Sequence, residues 1–265
     1  MTYPEKNSVG SVLHWRSGDV AHIRFNRPQS LNAINRDMAA AFHKACQDVA
    51  GDAGVRAGPI SGEGRAGRAG GDLDEMLADP QHAASELIAG MHGGIRLLAG
   101  MNAPVVCAVQ GAVAGGGLGL MLSCDLAIAA EGTRFGVAYP LIGASCDCST
   151  SWGLPRVLGL RKAMELTLLG DTVDASEALR IGLVNRVVSK EGMDAEVDAL
   201  LQRLANGPTQ ALGRMKQLLR SSFQNGLDTH LDAEAEGFTA CADTADFREG
   251  IGAFKEKRAP RFQGV

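Results

Sequence analysis

The sequence predicts an α/β fold, with short strands and helices layered around a hydrophobic core. The chain has 265 residues, of which 45% are hydrophobic and 21% are charged, so it can bury a full core as one domain with a small appendage. Short apolar runs alternate with stretches of helical spacing, which is typical of a layered α/β core. Two glycine-rich segments, residues 69–72 and 111–119, interrupt this pattern, and such turns bring bare backbone N–H groups to one point.

The first predicted elements are a β-hairpin and a helix. Residues 12–15 and 20–25 are predicted strands, joined across the turn Arg16-Ser17-Gly18-Asp19. From Asn35, a suitable N-cap, apolar residues recur at helical spacing up to Val49. Further strands are predicted at residues 55–61, 104–109 and 126–130, separated by helical stretches.

The second half of the chain is predominantly helical. A capping box begins at Asp174 and is completed by Glu177, and Gly182 stands where this helix should end. One more strand is predicted at residues 184–188, followed by helices at 195–205, 208–223, 227–241 and 247–258. The chain therefore divides into a core, residues 1–200, and a smaller C-terminal helical region, residues 201–265.

Composition argues against several classes of function. A formal net charge of −4 argues against a nucleic-acid partner, because phosphate binding requires a basic surface. The chain has no apolar run of about 18 residues and no basic-then-apolar leader, so we expect a cytoplasmic protein without a membrane partner. The six cysteines are scattered, and Cys146-Asp147-Cys148 is too closely spaced for a zinc knuckle, so no metal is expected.

Several motifs resemble one family, and they follow its order along nearly the whole chain. They are Asn26-Arg27-Pro28 with Leu31-Asn32-Ala33, Ala69-Gly70-Gly71-Asp72-Leu73, Pro104-Val105-Val106 leading into residues 111–119, Cys124-Asp125-Leu126-Ala127-Ile128-Ala129, Phe135-Gly136, Leu154-Pro155-Arg156-Val157-Leu158-Gly159 and residues 178–184. With these motifs the chain resembles the crotonase (enoyl-CoA hydratase/isomerase) superfamily. The resemblance implies a crotonase-like layered ββα superhelix core with a C-terminal helical trimerisation region. It also implies an acyl-CoA thioester substrate, a homotrimer or dimer of trimers, and no cofactor beyond the coenzyme A of the substrate.

The glycine segments are candidates for an oxyanion site. The resemblance places one donor at the N–H of Gly71 and the other at the N–H of Gly116. The residues point the same way, because Gly115-Gly116-Gly117 follows a strand and opens an apolar segment, where a helix N-terminal N–H is free to bind a thioester oxygen. The alternative is that the glycines only permit tight packing between strand and helix.

The acid–base residues depart from those of the family's hydratases. Those enzymes activate water with two glutamates, and the resemblance aligns them with Gly119 and Tyr139, neither of which titrates usefully near neutral pH. Asp147 aligns with the catalytic aspartate of several crotonase-like isomerases and with the nucleophilic aspartate of 4-chlorobenzoyl-CoA dehalogenase. Without that alignment, a loop aspartate is more commonly a turn or cap residue.

The similarity to the dehalogenase extends to two more positions. His92 aligns with an active-site histidine of that enzyme, and Tyr139 aligns with an active-site tryptophan. The alternative is that His92 is a structural histidine, since it lies beside the apolar stripe of residues 87–98.

The resemblance also implies a set of coenzyme A contacts. Backbone near residues 31–33 and 69–72 would hold the adenine and pantetheine, and basic side chains would lie near the phosphates. The predicted binding residues are Arg27, Leu31, Ala33, Ala69, Gly70, Asp72, Leu73, Tyr139, Lys255 and Lys257. Two features depart from the family: Pro59 removes a hydrogen-bond donor from a predicted central strand, and Arg68 either reads a substrate carboxylate or lies outward.

These observations favour an enoyl-CoA isomerase over the hydratase that the family name also allows. The thioester oxygen would lie between Gly71 and Gly116 while Asp147 moves a proton between carbons. One alternative is dehalogenase-like or hydrolase-like chemistry, with Asp147 as nucleophile and His92 activating water. Another is a non-catalytic acyl-CoA-binding relative that has lost its acid and base groups.

Overall fold

The computed structural model describes residues 9–67 and 70–265, and it confirms the α/β class. The strands are β1 Val12–Ser17, β2 Val20–Phe25, β3 Gly58–Gly62, β4 Val105–Val109, β5 Ala112–Ala114, β6 Leu126–Ala130, β7 Arg134–Gly136, β8 Thr172–Asp174 and β9 Arg186–Val188. The helices are α1 Arg36–Ala50, α2 Leu73–Ala78, α3 Pro80–Gly100, α4 Gly116–Ser123, α5 Thr150–Leu158, α6 Leu160–Leu169, α7 Ala175–Arg180, α8 Met193–Ala205, α9 Thr209–Ser221, α10 Leu227–Ala242 and α11 Ala245–Glu256. Within the described ranges, none of these helices combines the length and the apolar character that crossing a membrane requires.

Two sheets organise the molecule. The large sheet has the order β1-β2-β3-β4-β6-β9, and only its β1–β2 pair is antiparallel. The small sheet has the order β5-β7-β8. The chain passes from the large sheet to the small one between β4 and β5 and then enters α4, so the second glycine-rich segment, residues 111–119, follows this crossing. Gly70 of the first segment lies against Ala114 and Gly115.

The predicted β-hairpin is confirmed, although its turn is shorter than expected. Ser17 pairs with Val20, so β1 extends through Arg16 and Ser17 and only Gly18-Asp19 remains as the turn. A two-residue turn of this kind suits a hairpin because Gly18 adopts a φ of +59°, which glycine reaches without a steric penalty.

Pro59 lies in an internal strand, as predicted, and the ladder is arranged around it. β3 begins at Gly58, later than the predicted start at residue 55. The Gly58 N–H donates to Pro104 O on the β4 side, so an N–H at position 59 would point toward β2. The continuous β2–β3 register begins only at Ile23 and Ile60. Proline has no N–H at this position, and the position lies before the start of the continuous β2–β3 pairing.

Helices cover both faces of the large sheet. On one face α1 and α3 pack together, and Phe42, Met38 and Met91 are buried there. The predicted N-cap of α1 is confirmed, since Asn35 Oδ1 accepts from the Met38 N–H at 3.0 Å. On the other face Val197, Leu200 and Leu201 of α8 pack against strand residues such as Val106 and Ile128.

The C-terminal helices attach to this core through α9. Lys216 is buried, and its Nζ lies 2.8 Å from Asp125, which also pairs with Arg220. Burial lowers the pKa of Lys216, and the neighbouring carboxylate opposes that shift. The predicted boundary between residues 200 and 201 falls inside α8, whose Leu200 and Leu201 belong to one apolar cluster.

Candidate functional site

A cavity of about 420 Å³ opens between the two glycine segments, helices α2 and α3, and residues 138–148. Its wall is mostly apolar, with side chains of α3 on one side and the 138–148 loop on the other. It brings together six of the fourteen residues that the sequence singled out: Gly70, Gly71, Leu73, Gly116, Tyr139 and Asp147 all line it. A cavity that joins polar groups to an apolar wall is the usual form of a small-molecule site.

The two glycine segments meet backbone to backbone. Gly70 has a φ of +97°, and a Cβ there would lie 3.3 Å from Ala114 O and 4.0 Å from the Cα of Gly115. Gly115 has a φ of +49° and a ψ of −125°, a combination that glycine tolerates far better than other residues. The close approach of the two loops therefore depends on the absence of side chains.

Each segment presents a backbone N–H at the cavity. The Ile34 N–H donates to Gly70 O and the Asp72 N–H donates to Ile34 O, so the intervening Gly71 N–H points away from Ile34. Gly116 is the first residue of α4, where an N–H has no acceptor within the helix. Among hydrogen bonds between described residues, neither N–H has an acceptor.

Tyr139 holds the carboxylate of Asp147. Its hydroxyl donates to Asp147 Oδ1 in a short hydrogen bond and lies 3.2 Å from Thr150 Oγ1. Burial raises the pKa of Tyr139 well above its usual value, and the adjacent Asp147 charge raises it further. Tyr139 therefore remains a neutral phenol, a donor that leaves Oδ2 of the carboxylate for other partners.

The Asp147 carboxylate lies beside the start of α4. A Cβ built on Gly116 would be 3.4 Å from Asp147 Oδ1 and 3.2 Å from the Sγ of Cys148. Burial, reinforced by Asp147, raises the pKa of both Cys146 and Cys148, so these thiols resist forming a nucleophilic thiolate. Within residues 9–67 and 70–265, no group of three or more His, Cys, Asp or Glu side chains is placed to hold a metal ion.

Position 119 has no room for a side chain. A Cβ on Gly119 would overlap the carbonyl oxygen of Cys148 and would lie 2.5 Å from Thr150 Oγ1. Real Cβ atoms do not approach backbone this closely, and the carbonyl belongs to the turn that carries Asp147. Of the two positions that the resemblance aligns with hydratase glutamates, one is filled by backbone and the other holds a neutral phenol.

His92 lies behind the Asp147 turn and is not among the residues that line the cavity. Its Nε2 accepts a hydrogen bond from the Cys148 N–H at 3.0 Å. This arrangement differs from the predicted catalytic histidine, which would have to contact water or substrate in the cavity.

The predicted coenzyme A residues that the structure describes and that do not line the cavity lie in different parts of the fold. Arg27 donates to the carbonyl of Ala33 and pairs with Asp72 at 3.0 Å, so these residues join the two predicted binding segments to each other. Leu31 adopts a left-handed conformation with a φ of +53° at the end of a single helical turn. Lys255 and Lys257 are exposed at the end of α11. Ala69 and Arg68 lie outside the described residues.

Sequence reasoning missed the apolar wall and one polar contact. Met76 of α2 covers Gly71, and Leu87, Ile88 and Met91 of α3 line the cavity. The helical spacing of the α3 residues was visible in the sequence, but spacing alone does not distinguish a cavity wall from a core. Thr150 gave no signal, because its contact with Tyr139 arises from loop conformation.

Comparisons with known proteins identify the family to which this chain is similar. A family model described as enoyl-CoA hydratase/isomerase matches residues 16–265. A 1,2-epoxyphenylacetyl-CoA isomerase of Escherichia coli (strain K12) is 38% identical over 251 residues, covering 92% of this chain and 95% of the relative. A 4-chlorobenzoyl coenzyme A dehalogenase-2 of Arthrobacter sp is 34% identical over 254 residues, covering 93% of this chain and 90% of the relative.

A solved structure shows the same fold. The crystal structure of an enoyl-CoA hydratase from Polaromonas sp. JS666 matches with a TM-score of 0.90 and 30% identity, covering 96% of this chain and 100% of that one. Fold, motif order and sequence similarity therefore agree: this chain belongs to the enoyl-CoA hydratase/isomerase family, with the crotonase fold.

Proposed function

We propose that this chain is an acyl-CoA isomerase in which Asp147 moves a proton along the acyl chain of a 3-enoyl thioester. The observation that carries the proposal is the placement of one carboxylate, held by Tyr139, in the same cavity as the Gly71 and Gly116 N–H groups. The family membership supports an acyl-CoA thioester as substrate. The product would be the conjugated 2-enoyl thioester.

The two N–H groups would bind the thioester oxygen. Removing a proton from carbon 2 places negative charge on that oxygen, and donors already in place stabilise it without reorganisation. Each such donor is worth about 3 kcal/mol in comparable acyl chemistry. Both donors are backbone groups held by neighbouring elements, which keeps them in position before substrate arrives.

Asp147 would then complete the proton shuttle. Its carboxylate takes the proton from carbon 2, the double bond moves from carbons 3 and 4 to carbons 2 and 3, and the proton returns to carbon 4. One carboxylate suffices for both steps, because the same proton is taken and returned. Since Tyr139 occupies Oδ1, we assign the proton transfer to Oδ2.

The geometry disfavours hydration. A hydratase needs a second acid–base group to position and activate water. Position 119 has no room for that group, and the raised pKa of Tyr139 keeps its hydroxyl protonated. The name of the Escherichia coli relative, an isomerase that acts on a coenzyme A thioester, supports the same choice.

A second candidate function uses Asp147 as a nucleophile. The 34% identity to a 4-chlorobenzoyl coenzyme A dehalogenase favours it, since Asp147 aligns with the nucleophile of that enzyme. Tyr139 counts against it, because this residue aligns with an active-site tryptophan of that enzyme and differs from it.

The proposal includes an oligomer and a compartment. We keep the predicted homotrimer or dimer of trimers, the cytoplasmic location, and the absence of any cofactor beyond the substrate's coenzyme A. The predicted contacts of Arg27, Lys255 and Lys257 with coenzyme A remain part of this proposal.

The substitution Asp147→Asn tests the isomerase. We expect the conversion of a 3-enoyl-CoA to the conjugated 2-enoyl-CoA to fall by about 10²-fold to 10⁴-fold, which is the usual contribution of a general base. Thioester binding, measured by calorimetry, should stay close to that of the unsubstituted protein. Asp228→Asn on the exposed surface of α10 serves as the control and should leave the rate unchanged.

Three outcomes would contradict the proposal. Equal isomerase rates for the two variants would exclude Asp147 as the base. Halide release from 4-halobenzoyl-CoA, with an adduct on Asp147 in the mass spectrum, would favour the nucleophile instead. Recovery of all thioesters unchanged would indicate a non-catalytic acyl-CoA binder.

A further inference from the structure

We infer that His92 is a positioning residue that fixes the strained turn carrying Asp147, rather than a group that contacts substrate. The inference rests on the proposed function only in taking Asp147 as the acting carboxylate. In this inference, His92 acts by accepting a hydrogen bond from the Cys148 N–H through the lone pair of its Nε2.

The turn after Asp147 has an unfavourable backbone. Cys148 has a φ of +47° and Ser149 has a φ of +68°, so two successive residues with side chains adopt the left-handed conformation. This conformation is unfavourable for each of them, because the Cβ approaches the neighbouring carbonyl oxygen. Such strain persists only where surrounding contacts determine the backbone, and it concentrates at functional sites.

The turn donates hydrogen bonds to acceptors on two helices, α3 and α4. The Cys148 N–H donates to His92 Nε2 at 3.0 Å, and the Ser149 hydroxyl donates to Gly119 O at 3.1 Å. His92 belongs to α3, and the adjacent Met91 of this helix is buried in the core. The backbone that carries the His92 ring is therefore held in place. The turn itself is closed by the Thr150 N–H, which donates to Asp147 O at 2.9 Å.

The contact with an amide N–H also determines the state of the His92 ring. Because an amide can only donate, Nε2 must carry a lone pair, and the ring proton of neutral His92 must be on Nδ1. A lone pair that accepts from Cys148 is unavailable to take a proton from water. The geometry therefore argues against His92 as the general base that activates water, which is the role that the alignment implied.

Loss of this bond would reach the reaction through Asp147. Without an acceptor, the Cys148 amide is unpaired and one restraint on the strained turn is gone. The adjoining carboxylate lies within hydrogen-bonding reach of Tyr139 and beside Gly116, so a small displacement moves it relative to the thioester plane. A misplacement of about 1 Å can lower a rate by about 10²-fold.

Two substitutions at His92 separate positioning from base catalysis. Glutamine places Oε1 near the position of Nε2 and can accept from the Cys148 N–H, but it cannot act as a base. Leucine has a similar size and accepts nothing. We expect His92→Gln to keep kcat within about tenfold of the unsubstituted enzyme and His92→Leu to lower kcat by about 10²-fold, with little change in KM for either.

His82 provides the matched control, since it is an exposed histidine on the same helix, and His82→Leu should leave kcat unchanged. A His92→Gln variant as inactive as His92→Leu would overturn the inference, because that result indicates a base. A fully active His92→Leu would overturn it as well, because the bond would then be dispensable.

Nitrogen-15 NMR of histidine-labelled protein gives a test that does not depend on turnover. The six histidines allow the His92 signals to be assigned by their absence from the His92→Gln spectrum. We expect the Nδ1–H tautomer, both in the unsubstituted protein and in Asp147→Asn. A proton on Nε2 would overturn the inference, and this result stays decisive even if Asp147 proves not to be the base.

Discussion

Tyr139 and Asp147 act as one unit in the cavity. The phenol is buried, donates to one carboxylate oxygen, and lies beside Thr150. Because the raised pKa of Tyr139 keeps this donor protonated near neutral pH, the proposed mechanism leaves Asp147 without a second acid–base partner. Under the proposed mechanism, the reaction type depends on this one contact between the side chains of Tyr139 and Asp147.

The raised pKa of Tyr139 predicts an alkaline effect on stability. In the unfolded chain a tyrosine ionises near pH 10, whereas burial keeps Tyr139 protonated in the folded state. Its contribution is fully present below about pH 10 and is lost at higher pH, by about 1.4 kcal/mol per pH unit, until the raised folded pKa is reached. Chemical denaturation of the unsubstituted protein and of Tyr139→Phe at several alkaline pH values measures this slope.

The difference in pH dependence between the unsubstituted protein and Tyr139→Phe measures the contribution of the Tyr139 hydroxyl. Tyr139→Phe should show the shallower loss of unfolding free energy above pH 10. Equal slopes would mean that Tyr139 ionises as easily in the folded protein as in the unfolded chain.

Among the elements, α4 is the most constrained by its glycines. Gly116 starts the helix beside Asp147, and Gly119 packs against the Cys148 carbonyl one turn later. The helix is buried along its whole length, so it cannot shift to admit a larger residue. α4 therefore determines both the position of one backbone donor and the space available to the Asp147 turn.

Gly119→Ala should destabilise the protein. The added methyl group overlaps backbone that has no room to move, and overpacking of this kind costs about 1–3 kcal/mol. Gly252 of α11 is the control, because a Cβ there meets nothing within 4 Å and alanine should stabilise the helix by about 0.5–1 kcal/mol. Urea unfolding of both variants gives the comparison, and a Gly119→Ala variant as stable as the unsubstituted protein would contradict the packing described for α4.

The elements predicted from sequence were those with a clear apolar pattern. They were the strands β1, β2, β3, β4, β6 and β9 and the helices α1 and α7 to α11, which an apolar run, helical spacing or a capping signal marks in the sequence. The small sheet was missed, since β5, β7 and β8 have only three residues each and show no period. The turn around Cys148 was equally hidden, because its left-handed residues are not glycine or asparagine, which usually signal that conformation.

For the candidate site, the sequence could supply identities but not contacts. Gly71, Gly116 and Asp147 were placed by motif order, and the structure brings them to one cavity. The bond between His92 and Cys148 joins residues 56 positions apart through one ring nitrogen, which no local pattern encodes. Folding of α3 against the loop determines that contact.

At the scale of the whole molecule, the C-terminal helices leave apolar side chains on the surface. The exposed ones on α9, α10 and α11 are Met215, Leu219, Leu227, Leu231, Phe238, Ile251 and Phe254. This region is the one that the family resemblance implies to be the trimerisation region. Large exposed apolar surfaces mark interaction sites more often than they mark free surface.

The proposed homotrimer, alone or paired as a dimer of trimers, is tested by sedimentation velocity. We expect a mass of three or six chains of 27.7 kDa at micromolar concentration. Phe254→Asp places a charge at a side chain that is 85% exposed in the single chain, and it should shift the protein toward smaller species. Leu77→Asp on α2 is the control outside these helices and should leave the mass unchanged, whereas a monomer in the unsubstituted protein would contradict the proposal.

The meeting of Gly70 with Gly115 bears on how such a site can change its chemistry. A peptide N–H is present for every residue type except proline, so substitutions other than proline leave the backbone donors in place and act only on the approach of the two loops. The carboxylate and its phenol partner, by contrast, lie within nine consecutive positions, residues 139–147, and each can be exchanged by a single codon change. Under the proposed mechanism, backbone N–H groups stabilise the charge, whereas two side chains in residues 139–147 determine the proton transfer. Substitutions in that short segment can therefore change the reaction while the thioester is still bound in the same way.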